Sequence, residues 1–169
     1  MTRFPKILLN CLWHSTSLDR FKSILKDGSI KPEPDISDEF RWNTGLGPKH
    51  YPYVRTLGGV SLFDFSGFVL VDYEREYSAS WYTFVPTPHG GGNKIWIEIS
   101  RTAISSSLIT GRELVARWES DAAYGHNIMP IIEAAHLGPI VLSSFVRVLS
   151  YESGKWVEIS ISSFFPAEK

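Results

Sequence analysis

The chain has 169 residues, 43% apolar and 14% aromatic with six tryptophans, and a formal net charge of −1 from 17 basic and 18 acidic residues. That length suits one domain over residues 1–169 with a real core, and the charge balance gives no support to a basic stripe tracking a phosphate backbone. Cys11 is the single cysteine, which excludes an internal disulfide and a cysteine-based zinc site and points to a reducing cytoplasm. No stretch approaches the roughly 20 apolar residues of a membrane span, and the short apolar run near the start lacks signal-peptide length or a small-residue cleavage site.

Residues 6–13, with Ile7, Leu8, Leu9, Leu12 and Trp13, read as a buried strand. Ser17 is a good N-cap, and Asp19 suits the helix dipole. Leu18, Phe21, Ile24 and Leu25 then repeat at helical spacing until Gly28, with Pro32 and Pro34 beyond. Residues 31–57 show no sustained period and read as a long irregular segment with a short helix near 38–42; a loop this long is usually functional or mobile. Residues 58–65, GGVSLFDF, read as a strand entered through a glycine turn. The spacing predicts a helix over 72–84, and PTPHGGGN at 86–93 a turn. KIWIEIS at 94–100 alternates strictly and reads as a strand. Residues 101–107 read as a turn or short helix, 108–109 as a brief pairing, and 111–118 as either a helix or a strand. Residues 131–136, the LSSFVRVLS stretch within 139–150, and the alternating 155–161 complete the chain. Many strands with one or two helices, without regular βαβ alternation, indicate an α+β fold.

Three constellations carry chemistry. His14, Ser15, Thr16 and Ser17 stand where a strand ends and a helix begins. An imidazole donates one hydrogen bond and accepts another, and the neighbouring hydroxyls and free helix N–H groups suit a ribose or an amide. The same residues also fit a structural role, with Ser17 as cap and His14 as a satisfied strand end. Arg55 precedes Gly58 and Gly59 and the strand bearing Phe63 and Phe65. A guanidinium there can hold a phosphate or carboxylate in a fork, and an aromatic can stack on a flat ring. The alternative is a solvated arginine and core phenylalanines. Glu133 sits between Ile131, Ile132 and Ala134, where burial is costly without partners and is a hint of a functional carboxylate; an exposed helix or edge position is the other reading. No HExxH motif or short histidine pair marks a metal site, and HGGGN lacks the lysine and hydroxyl order of a P-loop, so it reads as a hairpin turn.

LWHSTSLDRFKSILKDGSIKP, residues 12–32, resembles the opening motif of the ADP-ribosyltransferase superfamily on His14, Thr16, Ser17, Leu18, Ile24, Leu25, Gly28 and Ile30. GVSLFDF looks like the second motif, and Glu133 takes the place of the catalytic glutamate in the third. The order of Arg55 and Glu133 is similar to bacterial DNA-targeting toxin and PARP-like members. Phe63 or Tyr73 stands where one subgroup carries a tyrosine. The resemblance implies a split β-sandwich with flanking helices around an NAD cleft, and transfer of ADP-ribose to a protein or nucleic-acid acceptor. It implies that His14, Ser15, Thr16 and Ser17 bind the nicotinamide ribose and amide, Phe63 or Phe65 stacks on nicotinamide, Arg55 holds pyrophosphate or acceptor, and Glu133 acts on the ribose. An inactive module that binds a nucleotide or protein is the alternative. RNA 2′-phosphotransferase relatives carry more basic pocket residues than the sequence reveals, which argues against phosphate transfer.

Overall fold

The computed structural model describes residues 3–76, 80–90 and 92–165. The apolar run at 6–13 is not one strand. Lys6–Leu8 is a single 3-10 turn after Pro5, Asn10 takes a left-handed φ of 62°, and strand β1 covers Leu12–Thr16. Proline presets φ for the turn, and asparagine tolerates the left-handed region that reverses the chain. Leu8 is buried by this turn, and its carbonyl accepts the Trp13 indole N–H at 2.9 Å.

Helix α1 spans Leu18–Asp27. Ser17 Oγ accepts the Arg20 N–H at 3.3 Å, and Gly28 ends the helix at φ 74°, which costs glycine little. Strand β2, Ser29–Ile30, follows. From residue 31 to 51 no side chain is buried, and the only regular pieces are 3-10 turns at Asp38–Phe40 and Pro48–His50. Buried structure resumes at helix α2, Tyr53–Thr56, and strand β3, Gly59–Asp64.

Of the helix expected over 72–84, residues 77–79 lie outside the described residues; α3 spans Leu70–Glu76, and Trp81–Thr83 is a separate 3-10 turn. Aromatics on several faces cannot make one stripe, and buried Trp81 instead packs on Phe4 with ring centres 5.4 Å apart. Strands β4, Ile95–Ile99, and β5, Leu108–Ile109, precede helix α4, Gly111–Ser120. The sequence leaves α4 undecided; a capping box settles it, in which Thr110 and Glu113 each satisfy the other's backbone N–H. Strands β6, Glu133–Leu137, β7, Ile140–Val141, β8, Phe145–Glu152, and β9, Lys155–Ile159, close the fold.

The fold is α+β, and among the described residues every strand pairing is antiparallel. Seven strands lie in the order β5-β6-β3-β1-β4-β8-β9, and β2 pairs with β7. One face, with Leu12, Leu62, Ile97 and Val148, is covered by Phe21 and Leu25 of α1. The other bears Trp13, Phe63, Trp96 and Leu149 under Phe4, Leu8, Trp81 and Val85. The sheet is nearly two sheets at its middle. β1 meets β3 only at Leu12↔Asp64 and Trp13↔Phe63. Beyond Trp13 the strands follow different partners: β1 pairs with β4 out to Thr16, and β3 pairs with β6 back to Gly59.

Candidate functional site

Where β1 and β3 part, a cleft of about 700 Å³ opens between the half-sheets. His14, Ser15 and Thr16 line one side, and Gly59, Val60, Ser61 and Phe63 the other. Parted strands leave backbone groups without ladder partners, which side chains must satisfy. His14 does this: its Nδ1 donates to the Ser61 carbonyl at 3.1 Å. A carbonyl only accepts, so Nδ1 carries the hydrogen and Nε2 of the neutral ring keeps its lone pair. Burial holds the His14 pKa below its ordinary value; the Ser61 carbonyl opposes that shift, and the Arg20 charge adds to it. The ring is therefore a neutral acceptor at pH 7.

Glu133 is fully buried on β6, an interior strand, which excludes the exposed or edge position. It stands opposite Phe63 in the register. Its carboxylate accepts the Ser61 hydroxyl at 2.6 Å and the Met129 N–H at 2.8 Å. Burial pushes its pKa above the ordinary carboxylate value, while those two donors pull the other way. Glu133 does not itself line the cleft, but Ser61 and Met129 both do. Ser61 thus joins the imidazole, through its carbonyl, to the carboxyl, through its hydroxyl. Ser61 was not singled out from the sequence; the signal was a serine among the apolar residues of a strand, on the same face as Phe63.

Phe63 lines the cleft and stacks on Phe84 and Trp96, with centres 5.2 and 5.1 Å away. Tyr73 lines it too. Phe65 does not. It is fully buried against Phe4, Phe63 and Phe68, so its expected role in ligand stacking is corrected to a core role. Ser17 is likewise occupied as the α1 cap and is not part of the lining. Ser15 Oγ accepts from Asn93 Nδ2 at 3.4 Å. Gly92 and Asn93 bring the HGGGN stretch to the cleft, so it is more than the hairpin turn expected; Thr87 and Gly90 do close a turn by a bridge, and Gly91 lies outside the described residues.

Arg55 lies on α2, not in a solvated loop, and it lines the cleft. Arg20, Lys31 and Arg41 line it as well, against Asp27. This corrects the expectation of few basic pocket residues: they come from α1, the irregular segment and α2, too far apart in sequence to read as a cluster. Ile24, Ile30, Pro34, Ile36 and Trp42 add apolar surface to the same cleft. The lining offers an aromatic ring, a neutral imidazole acceptor, guanidinium groups and apolar side chains, and Ser61 links it to the buried carboxyl of Glu133. Among the described residues no cluster of three His, Cys, Asp or Glu is placed to hold a metal, and no helix is long and apolar enough to cross a membrane. No family model, no curated protein and no solved structure matches this chain.

Proposed function

We propose that the chain is a mono-ADP-ribosyltransferase that consumes NAD and modifies a macromolecular acceptor, on a split β-sandwich of the kind its first motif resembles. The observation that carries this reading is the parting of β1 from β3, which puts His14, Phe63 and Arg55 on one cleft and ties Glu133 to it through Ser61. A dinucleotide fits the sequence of surfaces. The part of the Phe63 ring left uncovered by Phe65, Phe84 and Trp96 meets nicotinamide, and Nε2 of His14 accepts a ribose hydroxyl. Arg55, with a buried Nη1 that has no protein partner, offers a donor to the pyrophosphate. The apolar surface at Ile24, Ile30 and Trp42 takes the second base.

Transfer breaks the bond from ribose to nicotinamide, which leaves as the neutral base with the bonding pair, and forms one from that carbon to the acceptor, which gives up its proton to solvent; positive charge develops on the ribose between the two. A cationic nicotinamide nearby favours ionised Glu133, whose carboxylate then stabilises that charge where water is excluded. Glu133→Gln is expected to lower nicotinamide release from labelled NAD by at least about 100-fold, with an unchanged circular dichroism spectrum. Undiminished turnover in that variant would defeat the assignment.

A nucleotide-binding module is the second reading, favoured by the full burial of Glu133 with both its donors inside the protein. It predicts saturable NAD binding with no nicotinamide released. The cations lining the cleft also make 2′-phosphorylated RNA a necessary arm of the assay: phosphate leaving that RNA would mark phosphotransfer.

A further inference from the structure

The irregular segment at residues 31–51 is attached in an unusual way. It runs between buried Ile30 and buried Tyr53 with no buried side chain of its own. Phe40, Trp42 and Leu46 are exposed on it. Its C-terminal end is fastened by backbone: His50 Nδ1 reaches the Gly125 carbonyl at 3.1 Å, and His126 Nδ1 the Tyr51 carbonyl at 2.7 Å. Its middle is fastened by charge to one residue of the body, Arg55. Glu33 takes Arg55 Nε at 3.0 Å and Nη2 at 3.3 Å, and Asp38 takes Nη2 at 2.9 Å. Arg41 also binds Glu33, and the Tyr51 hydroxyl donates to Asp38. The Tyr51 ring lies 4.0 Å from the guanidinium carbon. The Arg55 side chain is 17% exposed, but Glu33 and Asp38 are 58% and 46% exposed. Ion pairs so open to water are weak. Nη1 is buried and has no partner, so a ligand dianion that reaches it as the segment shifts has one more hydrogen bond to gain than these carboxylates now make.

We propose that residues 31–51 form a gate held on the cleft wall by internal counter-anions: Glu33 and Asp38 occupy Arg55 until the pyrophosphate of a ligand takes it. The inference rests on the reading of the cleft as a dinucleotide site and adds its regulation. Because Pro32, Pro34, Ile36, Arg41, Trp42 and Thr44 line the cleft, exchange of anions at Arg55 resets the wall that meets the second base. The closed form costs affinity in proportion to its population.

The test uses the full chain with inorganic pyrophosphate and ADP-ribose as probes. Glu33→Gln/Asp38→Asn, both exposed changes, is expected to bind both probes about tenfold more tightly than the parent. Asp35→Asn, which removes a charge from the segment but keeps Glu33 and Asp38 on Arg55, is expected to bind as the parent does. Chymotrypsin cleavage between residues 40 and 46 is expected to speed up when pyrophosphate is added to the parent, and to be fast without it in the double variant. Equal or weaker binding by the double variant, or cleavage indifferent to both changes, overturns the gate. Nicotinamide release by the same preparations separates the two readings. A tenfold gain without release keeps the gate and removes the transferase, and release without the gain does the reverse.

Discussion

Burial disfavours the charged forms of both Glu133 and His14, and their effects on stability run in opposite directions with pH. The folded-state pKa of Glu133 lies above its ordinary 4.5 through burial. Its contribution is therefore complete below about pH 4.5 and is lost as pH rises through the raised value. The folded-state pKa of His14 lies below 6.5, again through burial, so its contribution is complete above about pH 6.5 and is lost as pH falls through the lowered value. Urea midpoints from pH 4 to 8 are expected to show Glu133→Gln gaining on the parent as pH rises, and His14→Asn gaining as pH falls below 6.5. Parallel pH profiles for parent and variants would contradict both assignments. Each residue stood out in the sequence, Glu133 as an acid in an apolar run and His14 at a strand end. Their shared partner did not, because Ser61 is 72 residues from Glu133 and 47 from His14.

Among the elements, α4 and the turn before β6 act together on the site. An ideal Cβ on Gly111 would lie 1.9 Å from the Ile131 carbonyl oxygen, and backbone cannot yield as a flexible side chain does. Ile131 itself sits at φ 69°, a left-handed conformation that a β-branched residue adopts at a cost. That turn presents the Met129 N–H to Glu133. Thr110→Ala is expected to cost about 1 kcal/mol through the lost cap. Gly111→Ala is expected to cost about 1–3 kcal/mol through overpacking, and also to weaken NAD binding because the Met129 turn moves. Calorimetry and a binding titration on both variants check this, and equal affinity in Gly111→Ala would detach α4 from the site. The capping residues of α1 and α4 are local and legible. The run at 6–13 misled because apolar character alone does not distinguish a strand from a turn that buries one leucine.

At the scale of the whole molecule, a ligand that bridges the half-sheets stabilises the folded form alone. At about 100 times its dissociation constant it adds about 2.7 kcal/mol, which a thermal melt reads directly. Arg20, Lys31, Arg41 and Arg55 gather in the cleft, so the stabilisation by NAD or ADP-ribose is expected to shrink with added salt as the screening length falls from about 10 Å at 0.1 M to about 3 Å at 1 M. Salt-independent stabilisation would place the ligand away from these cations. The net charge of −1 does not reveal that four cations gather here, three of them paired with Asp27, Glu33 and Asp38, because composition sums over the surface and carries no positions.

The sequence by itself determined the α+β class, the capped helix after the His-Ser-Thr-Ser cluster, and the strictly alternating strand at 94–100. Each rests on periodicity, caps or turns that act within a few residues. Only the tertiary structure decided that β1 and β3 separate after two pairs, that Ser61 bonds both His14 and Glu133, that Phe63, a core residue like Phe65, also borders the cleft while Phe65 does not, and that Arg55 is held by Glu33 and Asp38. Those outcomes depend on strand register and on burial between segments far apart in the chain, and no local pattern encodes either.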